Sequence, residues 1–292
     1  MHRGTQEYIA LIKRGFAAGY SGSAHIQEVL PTRPSDAFPI REHLAALHRF
    51  ADANPIYHNS FRQEVAGVEC VAYEGDISEY WLGSIKHGSS CQPFYPTWMA
   101  SAYVLASTAR ELGCAELVDI GSGDGRIAFC AALLGMRAYS LEIDHALVEL
   151  QRRLCEHMKV DFGPARVDAL EADYAGMGLS RPALVVGGLP QMGGDLLAAS
   201  LLDKIVHGGG HAGMSSCIIV LAGAGSRGGL AAGRACNGDV DNSGTLGGWG
   251  PTISRYGLRV LHTISLPTVW TFDRDEETPY IYAELAGATS KV

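Results

Sequence analysis

The residues best suited to bind a ligand lie in a glycine-rich turn. Its sequence is Asp119-Ile120-Gly121-Ser122-Gly123-Asp124-Gly125. Glycines let a backbone turn sharply and approach a ligand closely, and a following helix would point free N–H groups at that ligand. The two flanking acids would repel a pyrophosphate, whereas they suit a ligand carrying an ammonium and a sulfonium. Arg126 stands where a dinucleotide-binding fingerprint has its last glycine, so the turn favours a cationic ligand over a dinucleotide.

A further acid, Glu142, lies 17 residues after Gly125, at the end of the next predicted strand. An acid at the tip of a second strand is placed to accept hydrogen bonds from both hydroxyls of a ribose. Asp144 follows and is interpreted as the N-cap of the next helix. The two motifs together predict a site for a positively charged ligand that contains a ribose.

The stretch from Asp119 to Gly125, followed by Leu141-Glu142-Ile143-Asp144, closely resembles the class I S-adenosylmethionine-dependent methyltransferases. The resemblance covers about residues 91–285. It implies a Rossmann-like α/β fold, in which a seven-stranded, mostly parallel sheet ends in an antiparallel C-terminal hairpin. It also implies that S-adenosylmethionine is the cofactor.

The resemblance assigns roles to individual residues of the cofactor site. Asp119 and the turn formed by Gly121, Ser122, Gly123, Asp124 and Gly125 would hold the methionine part of the cofactor. Glu142, followed by Ile143, would take the ribose. Asp168, followed by Ala169, resembles the acid that contacts the adenine amino group, although Asp173 competes with Asp168 for that role.

The segment Gln92-Pro93-Phe94-Tyr95-Pro96-Thr97 resembles the one that precedes the core in methyltransferases acting on amino groups of nucleic acids. There it helps to close over the cofactor carboxylate. By this resemblance Pro96 and Thr97 belong to the cofactor site and Tyr95 to the substrate side. The alternative is an ordinary helix start with Thr97 as its N-cap.

The end of the predicted fourth strand departs from the amino-group methyltransferases. Those enzymes have Asn or Asp, then two prolines and an aromatic residue, whereas this chain has Gly187-Gly188-Leu189-Pro190-Gln191. Neither the acceptor for the amine protons nor the stacking platform is present, which argues against methylation of a base. We assign Gly188 to the cofactor site, and Pro190 and Gln191 to the substrate side.

The leading hypothesis is therefore a methyltransferase whose acceptor is unknown, with a small molecule or protein favoured over nucleic acid. No catalytic base can be named. One alternative is another group-transfer enzyme on the same fold, such as an aminopropyl-transferring synthase, although residues 187–192 lack the carboxylates that a polyamine site needs. A second alternative is a regulatory protein that binds S-adenosylmethionine without turnover.

The elements that must position these residues follow from hydrophobic periodicity. Residues 1–90 are interpreted as a mainly helical N-terminal extension that covers the substrate side of the sheet, and residues 91–292 as the methyltransferase domain. The five successive strands of the domain are predicted at Glu116–Ile120, Ala138–Ile143, Ala165–Asp168, Ala183–Gly188 and Cys217–Ala222. The last two strands, Leu258–Leu266 and Tyr280–Leu285, have no helix between them and should be antiparallel. Residues 223–250 contain ten glycines and are either a lid over the site or a flexible surface insertion.

Composition limits the remaining possibilities. The chain of 292 residues has a formal net charge of −8, which does not favour a broad nucleic-acid-binding surface. The absence of a signal peptide or of a long apolar run predicts a cytoplasmic protein without a membrane partner. The seven cysteines are interpreted as free thiols, and the sequence His207-Gly208-Gly209-Gly210-His211 lacks the helical spacing of a metal site. The oligomeric state is not predicted.

Overall fold

A computed structural model describes residues 2–36, 38, 40–84, 94–186, 194–207, 216–223, 226–227, 248–267 and 276–286. The described elements up to residue 84 are α1 (His2–Gly19), β1 (Ile26–Pro31), α2 (Arg41–Ala53), β2 (Tyr57–Val65), β3 (Val68–Gly75) and α3 (Ser78–Ser84). Those that follow, as far as the second helix after the glycine-rich turn, are α4 (Met99–Glu111), β4 (Glu116–Ile120), α5 (Arg126–Leu133), β5 (Arg137–Glu142) and α6 (His145–Met158). The remaining ones are β6 (Pro164–Arg166), β7 (Pro182–Val186), α7 (Gly194–His207), β8 (Ser216–Ala222), β9 (Ser226–Arg227), α8 (Gly250–Arg255), β10 (Arg259–Pro267) and β11 (Glu276–Ala286).

The main sheet has the architecture that the sequence predicted. Its strands lie in the order β10-β11-β8-β7-β4-β5-β6, and the short β9 pairs with β11. Strands β6, β5, β4, β7 and β8 are parallel to one another, whereas β11 is antiparallel to both β8 and β10. The fold is therefore Rossmann-like, with a C-terminal antiparallel hairpin.

Helices cover both faces of this sheet. Successive residues of a strand point to opposite faces, and in β4 Leu117 lies in one hydrophobic cluster while Val118 lies in another. The first cluster contains residues of α4, α5 and α6, and the second contains residues of α7 and α8. All five residues of β4 and all five of β7 are buried, and burial on both faces explains why β7 is apolar throughout rather than alternating.

The strand order places the predicted site at one edge of the sheet. The order reverses between β4 and β7, because β5 lies on one side of β4 and β7 on the other. A crevice forms at such a switch point, outside the carboxyl ends of the strands. The glycine-rich turn follows β4, and Glu142 is the last residue of β5.

The N-terminal part of the chain, up to residue 84, contains a sheet that the sequence did not predict. Its three helices hold more residues than its strands, as expected, but β1, β3 and β2 form a separate antiparallel sheet in that order. All six residues of β1 are buried, including Gln27 and Glu28, so this strand lacks the apolar pattern of a core strand. The β2–β3 turn uses Ala66 and Gly67, both with positive φ, and lacks the Asn-Gly signature of such turns.

The N-terminal part shares a hydrophobic core with the helices of the main sheet. Leu47 and Phe50 of α2 belong to the same cluster as Phe129 of α5. The rings of Phe50 and Phe129 stack with their centroids 4.6 Å apart. The N-terminal residues therefore pack on the helix layer formed by α4, α5 and α6.

Two further observations concern the cysteines and the length and hydropathy of the helices. The five cysteines in the described part of the chain are free thiols, namely Cys70, Cys114, Cys130, Cys155 and Cys217. None of the helices among the described residues is both long and apolar enough to span a membrane.

Candidate functional site

The glycine-rich turn leaves the sheet between β4 and α5 in a conformation that requires its glycines. Gly121, Gly123 and Gly125 have φ values of 69°, 58° and 79°, which side chains other than hydrogen rarely permit. The N–H groups of Gly121 and Ser122 donate to Leu141 O at 2.9 and 3.2 Å. These bonds fix the turn to the end of the neighbouring strand.

The surroundings of the three glycines differ. Among the described residues, a Cβ added to Gly121 would meet no atom within 4 Å, whereas one added to Gly123 would lie 2.6 Å from Phe94 Cε2. A Cβ on Gly125 would lie 2.5 Å from Phe162 Cε2. The turn is thus open at Gly121, where a ligand can approach the backbone, and closely packed at the other two glycines.

Gln151 of α6 forms hydrogen bonds to the turn, and sequence reasoning did not identify it. Its Nε2 donates to Ser122 Oγ at 2.9 Å and to Gly123 O at 2.7 Å. Its Oε1 accepts from Ser140 Oγ of β5 at 2.8 Å. A buried glutamine in the middle of an amphipathic helix was the available signal, because a buried amide requires hydrogen-bond partners.

Glu142 is held by backbone N–H groups. Its Oε2 accepts from Gly123 N at 2.8 Å, and its Oε1 accepts from Ile143 N at 2.8 Å and Asp144 N at 3.0 Å. The residue is 8% exposed, and burial raises the pKa of its carboxyl. Glu142 thus lies beside the turn, with half-buried Ile143 next to it, and its role at the ribose stays a prediction.

Asp124 differs from its predicted role beside a cationic ligand. It is 1% exposed, and its carboxylate accepts from Arg126 Nε at 2.9 Å and from Arg126 Nη2 at 2.5 Å. Asn54 Nδ2 donates to its Oδ2 at 2.8 Å. Asp124 therefore neutralises the buried guanidinium of Arg126, and it does not present a free carboxylate to the open side of the turn.

Asp119 lies at the end of β4 and is 1% exposed. Its Oδ2 accepts from Ala128 N at 3.3 Å. Burial raises its pKa to about 8, and the nearby carboxylates of Asp124 and Glu142 act in the same direction. A carboxyl in this environment supports the start of α5 and holds a proton more readily than a solvated one.

Asp168 and its competitor Asp173 lie in different parts of the segment after β6. The chain leaves β6 at Arg166, and the next residue, Val167, donates its N–H to Glu142 O at 2.9 Å. Asp168 Oδ1 then accepts from Leu170 N at 2.9 Å, and Ala169 is buried. Asp173 lies in an exposed turn, where its Oδ1 accepts from Gly176 N at 2.9 Å.

The segment before α4 contacts the turn. Phe94 lies against Gly123 and makes an edge contact with Tyr80, with the ring centroids 6.1 Å apart. Thr97 O accepts from Arg126 Nη1 at 2.6 Å. Pro96 is buried and Tyr95 half-buried.

Thr97 is not the N-cap of α4, contrary to the alternative interpretation of this segment. Trp98 occupies that position without a side-chain bond, and Met99 N donates to Glu28 Oε2 at 2.6 Å. The carboxylate of Glu28 in β1 therefore accepts from an N–H at the start of α4, a bond that the side chain of a local N-cap residue usually makes. Asp144 was predicted correctly as the N-cap of α6, since its side chain accepts from Ala146 N and Leu147 N.

Several predicted residues lie outside the described residues. They are Gly188, Pro190 and Gln191 after β7, Gln92 and Pro93 before Phe94, and most of the glycine-rich stretch 223–250. His211 and the three glycines before it are also outside them. In the parts of the chain that the structure describes, no three potential metal-binding side chains are grouped together.

No protein-family model and no curated protein sequence matches this chain. Among solved structures, a tRNA (uracil-54, C5)-methyltransferase of Pyrococcus abyssi in complex with S-adenosyl-L-homocysteine is similar over 66% of this chain and 40% of its own, with 14% identity and a TM-score of 0.43. TYW2 of P. horikoshii in complex with MeSAdo is similar over 67% of this chain and 65% of its own, with 11% identity and a TM-score of 0.43.

A third similar structure is described as the conversion of a disulfide bond into a thioacetal group during echinomycin biosynthesis. It is similar over 67% of this chain and 83% of its own, with 16% identity and a TM-score of 0.43. This chain spans less than half of the tRNA methyltransferase. Matches at this level assign neither a residue role nor an acceptor to this chain.

Proposed function

We propose that this chain binds S-adenosylmethionine at the carboxyl edge of its main sheet and transfers the methyl group to an acceptor. The observation that carries the proposal is the position of Glu142. Its carboxylate ends β5, touches the glycine turn through Gly123 N, and lies beside a turn that is open at Gly121. A carboxylate held in that place suits the ribose of a nucleoside cofactor.

The hydrogen bonds of Glu142 limit what it can accept. A carboxylate offers about four acceptor positions, and backbone N–H groups use three of them. One ribose hydroxyl can therefore bind without displacing a backbone bond, most directly at Oε2, which has a single partner in the described chain. We therefore expect one ribose hydroxyl to bind at the remaining acceptor position of Glu142. The second hydroxyl would have to share an oxygen that already accepts a backbone N–H.

The charge at the turn does not suit a pyrophosphate. Arg126 is the basic residue closest in sequence to the turn, but it is 2% exposed and donates to Asp124, to Thr97 O and to Tyr57 OH. Its charge is therefore not available to a phosphate. Glu142, whose carboxylate accepts from three backbone N–H groups, adds negative potential at the same edge, which favours a sulfonium cofactor over a dinucleotide.

S-adenosylmethionine supplies, when bound, a methyl group that its sulfonium has already activated. The protein must then hold the acceptor in line with that methyl group and exclude water. Phe94 packs against Gly123 and Tyr80 contacts Phe94, so these rings are apolar groups suited to the second task. We propose a small molecule or a protein as the acceptor, because the net charge of −8 does not favour a broad nucleic-acid interface.

Calorimetric titration tests the cofactor. We expect the wild-type chain to bind S-adenosylhomocysteine with a Kd in the micromolar range, about −8 kcal/mol, and NAD not measurably. Binding of NAD, or the absence of binding of S-adenosylhomocysteine, would contradict the proposal.

Methyl transfer needs a separate experiment. S-adenosylmethionine with a labelled methyl group is incubated with the protein and a cell extract, and the products are divided by nuclease and protease treatment. Label in the small-molecule or protein fraction supports the proposed acceptor classes, and label that nuclease releases contradicts them. Cofactor binding with no transfer to any fraction would instead identify a non-catalytic S-adenosylmethionine-binding protein.

A further inference from the structure

We infer that Glu28 of β1 is a positioning residue for the cofactor turn, so that the N-terminal part completes the cofactor site. This inference rests on the proposed function, but the geometry behind it does not. Glu28 is fully buried and lies 98 residues before Arg126 and 71 before Met99. Its carboxylate joins two segments that border the turn.

The contacts of Glu28 are all with hydrogen-bond donors. Oε2 accepts from Met99 N at 2.6 Å and from Arg126 Nη1 at 3.4 Å, and Oε1 accepts from Val29 N at 3.2 Å. Three donors and no acceptor suit a carboxylate rather than a carboxylic acid. Through Met99 the same oxygen fixes the start of α4, and through Arg126 it reaches the start of α5.

Arg126 transmits this contact to the turn. Its guanidinium donates to both oxygens of Asp124, which lies between Gly123 and Gly125, and to Thr97 O of the segment before α4. Tyr57 OH accepts from Arg126 Nη2 at 3.3 Å. The turn and the preceding segment are therefore held by one buried guanidinium.

A second N-terminal residue contacts the turn directly. Asn54, at the end of α2, is fully buried, and its Nδ2 donates to Asp124 Oδ2 at 2.8 Å. Its Oδ1 accepts from Ile56 N at 3.3 Å, which orients the amide. Glu28, Asn54 and Tyr57 thus approach the pair of Asp124 and Arg126 from three different elements.

The hydrogen-bond network around Arg126 is expected to raise the affinity for the ligand, because it orders the turn in advance. A turn with three glycines loses much backbone entropy when it is ordered. Contacts that order it before the ligand arrives remove that cost from binding. A buried, fully hydrogen-bonded charge cluster also permits few alternative arrangements.

The test compares Glu28→Gln with wild type at pH 8 and at a temperature where both are folded. We expect the Kd for S-adenosylhomocysteine to rise at least fivefold, because the amide carries no charge toward Arg126. Leu202→Ala is the matched control, since Leu202 is fully buried in the cluster on the opposite face of the sheet. The control should lower Tm at least as much while its Kd stays within twofold of wild type.

A second measurement does not depend on the ligand. Amide hydrogen exchange of residues 121–125 in the unliganded protein should speed up at least fivefold in Glu28→Gln and stay unchanged in Leu202→Ala. Unchanged exchange in Glu28→Gln overturns the inference whatever the ligand. Wild-type protein that fails to bind S-adenosylhomocysteine overturns the proposed function alone.

The pH profile separates positioning from general destabilisation. Burial raises the pKa of Glu28 to about 7, so between pH 8 and 6 the wild type should lose part of its advantage over Glu28→Gln, and the ratio of their Kd values should fall toward one. The titratable groups that face Glu28 are Arg126, Asp124, Tyr57, Tyr73 and Cys130. These groups are the same in wild type and in Glu28→Gln, so a change of the Kd ratio with pH reports the titration of Glu28. A ratio that does not change with pH contradicts the inference.

If Glu28→Gln does not fold, Tyr57→Phe replaces it. This variant removes only the hydroxyl that accepts from Arg126. We expect a two- to threefold rise in Kd and faster exchange of residues 121–125. Wild-type values of both would overturn the inference.

Discussion

The ends of β4 and β5 both carry acids beside the same turn, but the two regions hold them differently. After β4, Asp124 is paired with the guanidinium of Arg126 and with the Asn54 amide. At the end of β5, Glu142 is held by three backbone N–H groups. The first acid is neutralised by side chains, and the second keeps one acceptor position beside the turn.

This difference assigns the two acids to different tasks. A carboxylate already paired with a buried cation stabilises the fold and has little to offer a ligand. A carboxylate oriented by N–H groups is fixed in place and can still accept a hydroxyl.

Asp124→Ala should lower the free energy of unfolding by about 3–5 kcal/mol, because it leaves a buried guanidinium without its main counter-charge. Urea unfolding of the unliganded protein measures the change. Asp173→Ala is the control, since Asp173 is exposed and only closes a surface turn. A similar, small loss in both variants would show that Asp124 is not the structural acid of the pair.

Glu142→Ala should raise the Kd for S-adenosylhomocysteine by about 10- to 100-fold, since hydrogen bonds to charged groups contribute roughly 1.5–3 kcal/mol. Titration calorimetry measures it. Asp144→Ala provides the control two residues away. It removes the N-cap of α6 and about 1 kcal/mol of stability, and it should change the Kd less than threefold. Equal effects of the two substitutions would contradict a ligand role for Glu142.

Asp168→Ala should weaken the same affinity about fivefold, close to 1 kcal/mol, because Asp168 would accept a single hydrogen bond from the adenine amino group. The acid that competed with it in the sequence, Asp173, should be replaceable by alanine without a change in Kd. The reverse result would move the adenine contact to Asp173.

The sequence was sufficient for features whose signals are local. The short strand β4, the acid that ends β5 and the cap at Asp144 depend on neighbouring residues, and their predicted bounds agree with the structure within one residue. The antiparallel end of the sheet followed from the lack of a crossover helix before Tyr280. Such patterns depend on spacing alone.

Features that depend on distant partners could not be predicted in this way. Asp124 pairs with Arg126 two residues later, but no local pattern shows that this pair is buried and that Asn54, 70 residues earlier, also donates to it. Glu28 lacked any local motif because it caps α4 from another sheet. Buried Gln27 and Glu28 also interrupt the apolar pattern of β1, and the partners of Glu28, Met99 and Arg126, lie far away in sequence.

The central claim is that Glu142 accepts a ribose hydroxyl, and a thermodynamic cycle tests it most directly. The Kd values of wild type and Glu142→Ala are measured for S-adenosylhomocysteine and for an analogue that lacks both ribose hydroxyls. We predict that the substitution weakens binding of S-adenosylhomocysteine at least tenfold and binding of the analogue less than threefold. An equal loss for both ligands would mean that Glu142 only supports the turn, and would contradict the claim.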